Sequence, residues 1–469
     1  MSDWSNAWST LVSFFPPDLS LTYLWALRGP VLESLGMTVG AMVLAYVLSL
    51  PIGLYLGMRG PGSRPILWLL TSLRAIPDLT LAIFCVIAFG IGPGAGLLAL
   101  AIFYAAALGK VLADLFQTAA RGPMAALRAT GASRAQVALY GLLPLKLSDV
   151  ITYGSYEFEC AVRSSVIVGA VGGGGLGAEL VGSLNAFDFQ RSATIVLILV
   201  LMVALIDFAA FHFRRRPRWV AILIPFGAYA LYALWPHNIT LVHAAHTIAG
   251  MFPPTLPAKA WATLPTLLLE TVEMAVFGTL LAVALAIPLG MLAARNLTPF
   301  WLAIPVRRAL EVLRAIPEVV WGLILVAIAG IGPVAGIWAL GLHSAGCLGR
   351  LFAESFENVP VAPVNAIAST GASRLSIATY ATFPLAIGPL AIHGLFRLEW
   401  NMRQATVVGM IGAGGIGQAL YEAQQLFFYP RMMAYLIITW LVVLLVDALS
   451  QHTRRRLDGA HLAIEERVH

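Results

Sequence analysis

Two pairs of charged residues sit where charges are rarest. Glu159 and Arg163 lie four apart inside an apolar stretch, and Glu399 and Arg403 repeat the arrangement in another. A Glu four residues ahead of an Arg can pair with it on one face of a helix. An ionisable group near the middle of a bilayer costs on the order of 3 kcal/mol, so each needs a reason to be there. Two roles fit the spacing. One is an ion pair that locks helices together. The other is a pathway arginine that lowers the barrier for a passing anion, with its Glu beside it. Lys110 with Asp114, and Arg350 with Glu354, keep the spacing in reversed order.

Two further stretches carry backbone chemistry. GAVGGGGLG at 169–177 and GMIGAGGIG at 409–417 are too rich in glycine to be stable helix. They let backbone approach backbone or ligand closely, and their amides could cradle an anion. An outer gate or a tight helix crossing is expected at Gly172, Gly174, Gly175 and Gly177, and again at Gly412, Gly414, Gly415 and Gly417. No strand precedes either run, which argues against a dinucleotide-binding turn. Cys85, Cys160 and Cys347 all lie in apolar stretches and none belongs to a CxxC, so neither a disulfide nor a metal site is expected. No catalytic constellation is evident. The one Gly-Lys, at 109–110, lacks both ends of a phosphate-binding loop, so the chain binds no nucleotide of its own.

The elements that must position these residues are membrane helices. Charged residues make up 11% of the 469 and hydrophobic ones 59%, whereas a soluble domain carries about 25% charged. A soluble fold of this composition could not cover its surface. The formal charge of +6 does not point to nucleic acid, because the arginines cluster at the ends of apolar segments. The first 27 residues hold no Lys or Arg, which argues against a cleaved leader. Windows able to span roughly 30 Å of hydrocarbon fall at 31–57, 66–90, 95–117, 147–170, 192–213, 219–235, 263–292, 301–329, 335–355, 385–411 and 432–452. Counting the short apolar stretch before FFPP would make twelve instead of eleven; FFPP at 14–17 and MFPP at 251–254 read instead as the ends of interfacial segments. Eighteen Lys and Arg flank one side of these spans and four the other. That bias puts the first side in the cytoplasm, with the amino terminus outside and the carboxyl terminus inside.

The chain is a tandem duplication. ESLGMTVGAMVLAYVLSLPIG at 33–53 is echoed at 270–290, LRAIPD at 73–78 returns as LRAIPE at 313–318, and GIGPGAG at 90–96 returns as GIGPVAG at 330–336. RRR at 214–216, behind Asp207, returns at 454–456 behind Asp447. The offset is 237 early and 240 later, so the second copy has three extra residues in its first cytoplasmic loop. Across this repeat His343 aligns with Phe103, so any pathway role it has belongs to one half alone; a structurally satisfied histidine is the plainer reading. Five spans per copy would invert the second, and the additional span restores its direction. The expected fold is all-α and integral to the lipid bilayer: two parallel five-helix repeats joined by an additional helix. The repeats occupy 1–216 (core 31–213, loop 120–144) and 237–469 (core 263–452, loop 360–384), with 217–236 linking them. Arg74 and Arg314 precede Ala-Ile-Pro inside the second span of each copy, where the proline kinks the helix and the arginine snorkels to the interface.

Between spans, ATGASRAQVALYGLLP at 129–144 and STGASRLSIATYATFP at 369–384 each read as helix, Gly turn, amphipathic helix and a Pro that ends it. A protruding element of this kind, kept twice, suits a docking lever. It resembles the EAA motif of ABC importer permeases, in which a Gly is followed thirteen residues later by the Pro of a Leu-Pro ending. Ala126, Gly131, Leu143 and Pro144 match in the first copy, and Ala366, Gly371 and Pro384 in the second; Thr130, Ala132, Thr370 and Ala372 flank the turn. The motif's Glu is Ala125 in one copy and Asn365 in the other, and Phe383 replaces the Leu. Over 31–216 and 263–456 the chain resembles the PhnE-like permeases of phosphonate, phosphite and phosphate importers, two of them fused. The resemblance implies the type I importer fold and alternating access. It also implies two ATPase subunits under the loops, holding ATP and Mg²⁺, and an extracytoplasmic substrate-binding protein. An ion-coupled secondary transporter with Glu159 and Glu399 as coupling sites is the alternative; a membrane scaffold explains the repeat but not the charges.

Overall fold

The computed structural model describes residues 2–215, 222–236 and 241–468. The described residues are almost entirely helical and group into two compact units, Ser13–Gly250 and Met251–His469, the latter together with Met1–Val12.

In the first repeat, α1 (Ser2–Ser13) and α2 (Leu21–Ala26) precede the long helix α3 (Arg28–Gly57). Then come α4 (Ser63–Ala75), α5 (Asp78–Phe89) and α6 (Pro93–Gln117), followed by the loop helices α7 (Arg121–Ala129) and α8 (Arg134–Gln136). Next are α9 (Leu143–Val168), α10 (Gly175–Asn185) and α11 (Phe189–Arg215), then α12 (Leu223–Leu234) in the linking segment and α13 (Leu241–Ala249), which opens the second repeat. The second repeat retraces the series as α14 (Ala258–Ala293), α15 (Phe300–Ala315), α16 (Glu318–Ala329), α17 (Pro333–Glu357), α18 (Val361–Ala368), α19 (Arg374–Ile377), α20 (Phe383–Val408), α21 (Gly415–Gln425) and α22 (Tyr429–Val468).

Glycines set the packing. A Cβ added at Gly40 would lie 2.8 Å from Leu97, one at Gly53 2.7 Å from Leu112 and one at Gly57 2.4 Å from Phe116. These contacts advance together along α3 and α6, so the two helices run parallel and touch through small residues, as close membrane-helix packing requires. Gly278 against Leu340 and Gly290 against Phe352 repeat this between α14 and α17. Parallel neighbours need the chain to return between them, and the α4–α5 pair makes that return. It does so through a bend of 89° after Arg74, and the α15–α16 pair bends by 84°. The second span of each copy is therefore broken rather than kinked. Pro77 and Pro317 stand just ahead of α5 and α16, which leaves each a 12-residue helix of about 18 Å.

Six helices are long and apolar enough to cross a bilayer unbroken, and three bent pairs bring the number to nine. The two remaining windows are α17, with 25 residues but more polar, and the short apolar α12. Residues 219–221 of the linking window lie outside the described residues, as does the Arg216 of the first RRR. Helix α12 crosses α3 through Gly227 on Val43, Ala230 on Gly40 and Leu234 on Gly36. Those contacts run in opposite senses, so α12 carries the chain back toward the start of α3, the direction expected of the linking segment. FFPP packs at the start of α11: Phe14 is buried with its ring 5.0 Å from Phe189, and Asp18 N–H donates to the Gln190 carbonyl. In the second copy Thr255 N–H donates to the Pro430 carbonyl.

Candidate functional site

The two loops share one build. Thr130 closes α7 and donates its hydroxyl to the Leu127 carbonyl at 2.7 Å; Thr370 does the same to Ile367 at 2.7 Å. Gly131 (φ 85°) and Gly371 (φ 80°) then turn the chain through the left-handed region, which a side chain resists. Ser133 caps the next helix from its hydroxyl to Gln136 N–H, and Ser373 does so to Ser376 N–H. Ala126, Thr130, Gly131 and Pro144 are exposed and Ala132 half-buried, and the same holds for Ala366, Thr370, Gly371, Pro384 and Ala372. Tyr140 and Tyr380 project beside them, 74% and 76% exposed.

Pro144 and Pro384 do not end the second loop helix. Each sits in the first turn of the following membrane helix, after a π-helical turn at Val137–Leu142 or Ala378–Thr382. The missing proline N–H interrupts the helical ladder there, and the widened π turn ahead of it makes room for the ring without breaking the helix. The loop is thus rigidly continuous with α9 or α20. A force on Gly131 or Gly371 reaches the membrane through one helix.

The glycine runs hold an anion, and it is the chain's own. Val168 leads into a π turn, the chain bends by 60° through Gly172 (φ 103°) and Gly174 (φ 79°), and α10 begins. Glu33 Oε2 accepts from Gly175 N–H at 3.0 Å and Ser34 Oγ from Leu176 N–H at 2.9 Å. In the second copy Glu270 accepts from Gly415 N–H at 2.8 Å and Thr271 from Ile416 N–H at 3.0 Å. A carboxylate at a helix start satisfies free amides and complements the dipole. Gly92 N–H also donates to the Gly172 carbonyl at 2.9 Å, and Gly332 N–H to Gly412 at 3.1 Å. A Cβ at Gly177 would meet the Val166 carbonyl at 2.1 Å, and one at Gly417 the Thr406 carbonyl at 2.0 Å.

The charged pairs form within the membrane helices. Arg163 lies 3.5 Å from Glu159 and 3.4 Å from Cys160 Sγ. Arg403 lies 3.5 Å from Glu399, whose other oxygen takes both terminal nitrogens of Arg454 from α22. Arg454 also stacks 3.8 Å over Phe396, so Glu399 ties α22 to α20. Arg350 pairs with Glu354 at 3.1 Å on an exposed face. The matching Lys110–Asp114 pair does not form among the described residues; the reversed order that Arg spans is not closed by Lys.

His343 is satisfied on both sides. Its Nδ1 donates to the Ile316 carbonyl at 2.8 Å, beside the break of α15 and α16, and Nε2 faces Glu318 Oε2 at 3.2 Å. Trp400 Nε1–H donates to the other Glu318 oxygen at 3.3 Å. The first copy meets the same need differently. Asp78 caps α5 through Leu79 N–H and accepts from Ser164 Oγ at 2.7 Å, and Ser164 in turn takes the Tyr104 hydroxyl at 3.1 Å. The start of each half-helix therefore already carries a buried carboxylate.

One membrane cation stands apart from these pairs. Arg397 Nε donates to Ser344 Oγ at 2.7 Å, and Ser344 donates to Asn401 Oδ1, which holds Thr279 through Nδ2. Its guanidinium lies 5.9 Å from the Trp400 ring centroid, and among the described residues no carboxylate comes within ion-pair distance of it. The aligned first-copy residue is Glu157. Sequence reasoning passed over Glu33, Glu270, Asp78, Glu318 and Arg397. The first four stood inside the repeated segments as acids kept at matching positions, and Arg397 showed as a charge reversed between copies.

A profile of the family described as "Binding-protein-dependent transport system inner membrane component" matches residues 49–219 and 286–459, once per repeat. The chain is 31% identical over 454 residues to the phosphate-import permease protein PhnE of Mycolicibacterium smegmatis, covering 91% of this chain and 84% of that one. It is 39% identical over 189 residues to the phosphite transport system permease protein PtxC of Stutzerimonas stutzeri, covering 40% of this chain and 69% of that one. A chain of the MetNI methionine ABC transporter in an inward-facing form aligns over 43% of this chain and 99% of its own, at 19% identity and a TM-score of 0.39. With both repeats matched, the chain belongs to the family of inner-membrane permease components of binding-protein-dependent transport systems.

Proposed function

We propose that this chain is the complete pair of permease halves of an ABC importer that brings a phosphorus oxyanion, phosphate, phosphite or a phosphonate, into the cytoplasm. The observation that carries the reading is the doubled loop, with the same turn, cap and exposed face in each repeat. Each loop continues without interruption into a membrane helix. One ATPase copy per loop follows, with ATP and Mg²⁺ on those subunits. A binding protein on the opposite side delivers the cargo. The excess of Lys and Arg on the loop side favours a cytoplasmic carboxyl terminus. The similarity to the phosphate-import permease supports the cargo class.

Within the membrane the roles divide by partnering. Glu159–Arg163 and Glu399–Arg403 act mainly as internal ties, and His343 holds the broken α15–α16 segment. Arg397, in no ion pair among the described residues, is the better countercharge for a passing dianion. The glycine breaks serve as the outer gate, closed by Glu33 and Glu270. Acids committed to arginines make poor coupling sites, so the ion-coupled alternative is not favoured. Reconstitution tests this. Liposomes holding the chain with its ATPase and binding protein should take up phosphate, phosphite or methylphosphonate only with ATP. Uptake by the chain alone, driven by an ion gradient, overturns the reading.

A further inference from the structure

The first repeat carries an unneutralised basic cavity at the root of its loop. Met58, Arg59, Arg128, Ala132 and Arg134 line a space of about 390 Å³, within the roughly 300–1,000 Å³ of small-ligand clefts. Three of its five lining residues are arginines, no acidic residue lines it, and among the described residues none of the three has an ion pair.

Helix dipoles account for only part of this. Arg59 follows the end of α3 and Arg128 stands in the last turn of α7, where a cation is favourable. Arg134 stands at the start of α8, directly after the Ser133 cap, where a cation is unfavourable. The φ of 51° at Arg59 belongs to the left-handed turn that ends α3, with Arg59 N–H on the Leu56 carbonyl and Gly60 N–H on the Tyr55 carbonyl, so that turn fixes where the Arg59 backbone sits.

The second repeat shows what this corner looks like without the site. At the matching offsets it has Asn296 for Arg59 and Ala368 for Arg128, and keeps only Arg374 for Arg134. It also supplies the acid that the first repeat lacks. Glu357 accepts from Arg295 N–H and pairs with Arg307, each at 2.7 Å, whereas the first repeat has Gln117 at that place. Arg307 has Leu67 as its counterpart, so Glu357 serves a cation peculiar to the second repeat, and the three arginines gathered in one corner are peculiar to the first.

We propose that Arg59, Arg128 and Arg134 form a binding site for a phosphate-type oxyanion at the root of the first loop. Guanidinium forks match the paired oxygens of a phosphate and relieve the mutual repulsion of the three charges on binding. Free inorganic phosphate and the headgroup of an anionic lipid present the same chemistry. Because Arg128 and Arg134 bracket the Gly131 turn, occupancy would stiffen one loop and not the other. The proposal does not depend on what the permease carries, since it is tested by binding alone.

The test uses the full chain in phosphatidylcholine nanodiscs, titrated calorimetrically with inorganic phosphate at constant ionic strength. The comparison variant is Arg59→Asn with Arg128→Ala, which installs residues the second repeat already carries. Arg128→Ala alone, at an exposed position, serves if the double variant is poorly folded. Saturable phosphate binding that weakens at least tenfold in the variant supports a free-anion site. Phosphatidic acid retained by the wild type in native mass spectrometry, lost in the variant, and suppressing phosphate binding when doped into the discs supports a lipid headgroup. Equal binding of both probes by wild type and variant overturns the proposal, as does the absence of both in the wild type. A variant that loses only ATPase co-purification overturns it too.

Discussion

Glu33 closes the glycine break of the first repeat by accepting the Gly175 amide at 3.0 Å, across 142 residues of sequence. Glu270 does the same for Gly415 in the second. The carboxylate comes from the start of the first long helix and the amide from the start of a short helix after the break. One interaction thus ties the first segment of each repeat to the break that ends its fourth. Loss of a capping carboxylate costs about 1 kcal/mol, and stranding the amides it covered raises that to roughly 1–3 kcal/mol. Glu33→Ala is expected to lower the thermal unfolding midpoint of the purified protein, with Glu33→Gln intermediate because its carbonyl still accepts. A midpoint equal to wild type in both variants would show that the contact contributes nothing.

Gly177 tests the close approach itself. A methyl group there would lie 2.1 Å from the Val166 carbonyl, a backbone atom that cannot rotate away. Gly177→Ala should abolish recovery of monodisperse protein, and Gly417→Ala should match it, with 2.0 Å to the Thr406 carbonyl. Gly182→Ala has nothing within 4 Å and should be neutral or slightly stabilising. Size-exclusion profiles of the three variants make the comparison.

Much of this was legible before any coordinates. The duplication, the helix windows and the glycine turn of each loop follow from repeats and hydropathy, which local sequence records directly. The broken second span did not follow. Pro77 announces a kink, but a bend of 89° depends on α3 and α6 packing parallel, and that is a long-range fact. Pro144 was misread for the same reason: a proline ends a helix or opens one, and only the preceding π turn decides which. Amides able to cradle an anion are expected of the glycine run as a whole, but that Gly175 supplies one and that Glu33, 142 residues earlier, is the anion has no local mark except the counterpart Glu270.

The loop predicts a separation of folding from assembly. Gly131 and Gly371 are exposed, and a Cβ at either meets nothing, so the turn is required only for shape. Proline cannot adopt their positive φ and removes the amide that bonds Arg128 or Ala368. Gly131→Pro with Gly371→Pro should leave membrane insertion and yield intact while the ATPase no longer co-purifies. If the complex forms at wild-type levels, these loops are not the docking elements.

Arg397 and Arg163 should fail in different ways. Arg163 is held 3.5 Å from Glu159, a buried acid, so Arg163→Gln removes a cation that neutralises a carboxylate inside the protein. Removing one partner of a buried pair costs about 3–5 kcal/mol, and the expected result is low yield. Arg397 bonds only a hydroxyl, Ser344, and glutamine can keep that bond while losing the charge. Arg397→Gln should therefore purify normally and raise the KM for oxyanion uptake in the ATPase-coupled assay. Losing a charge-assisted contact of about 1.5–3 kcal/mol corresponds to roughly a 10- to 100-fold change. Arg397→Lys should recover part of the loss, because the charge returns without the planar fork. Wild-type KM in Arg397→Gln would assign Arg397 to the Ser344–Asn401–Thr279 network alone.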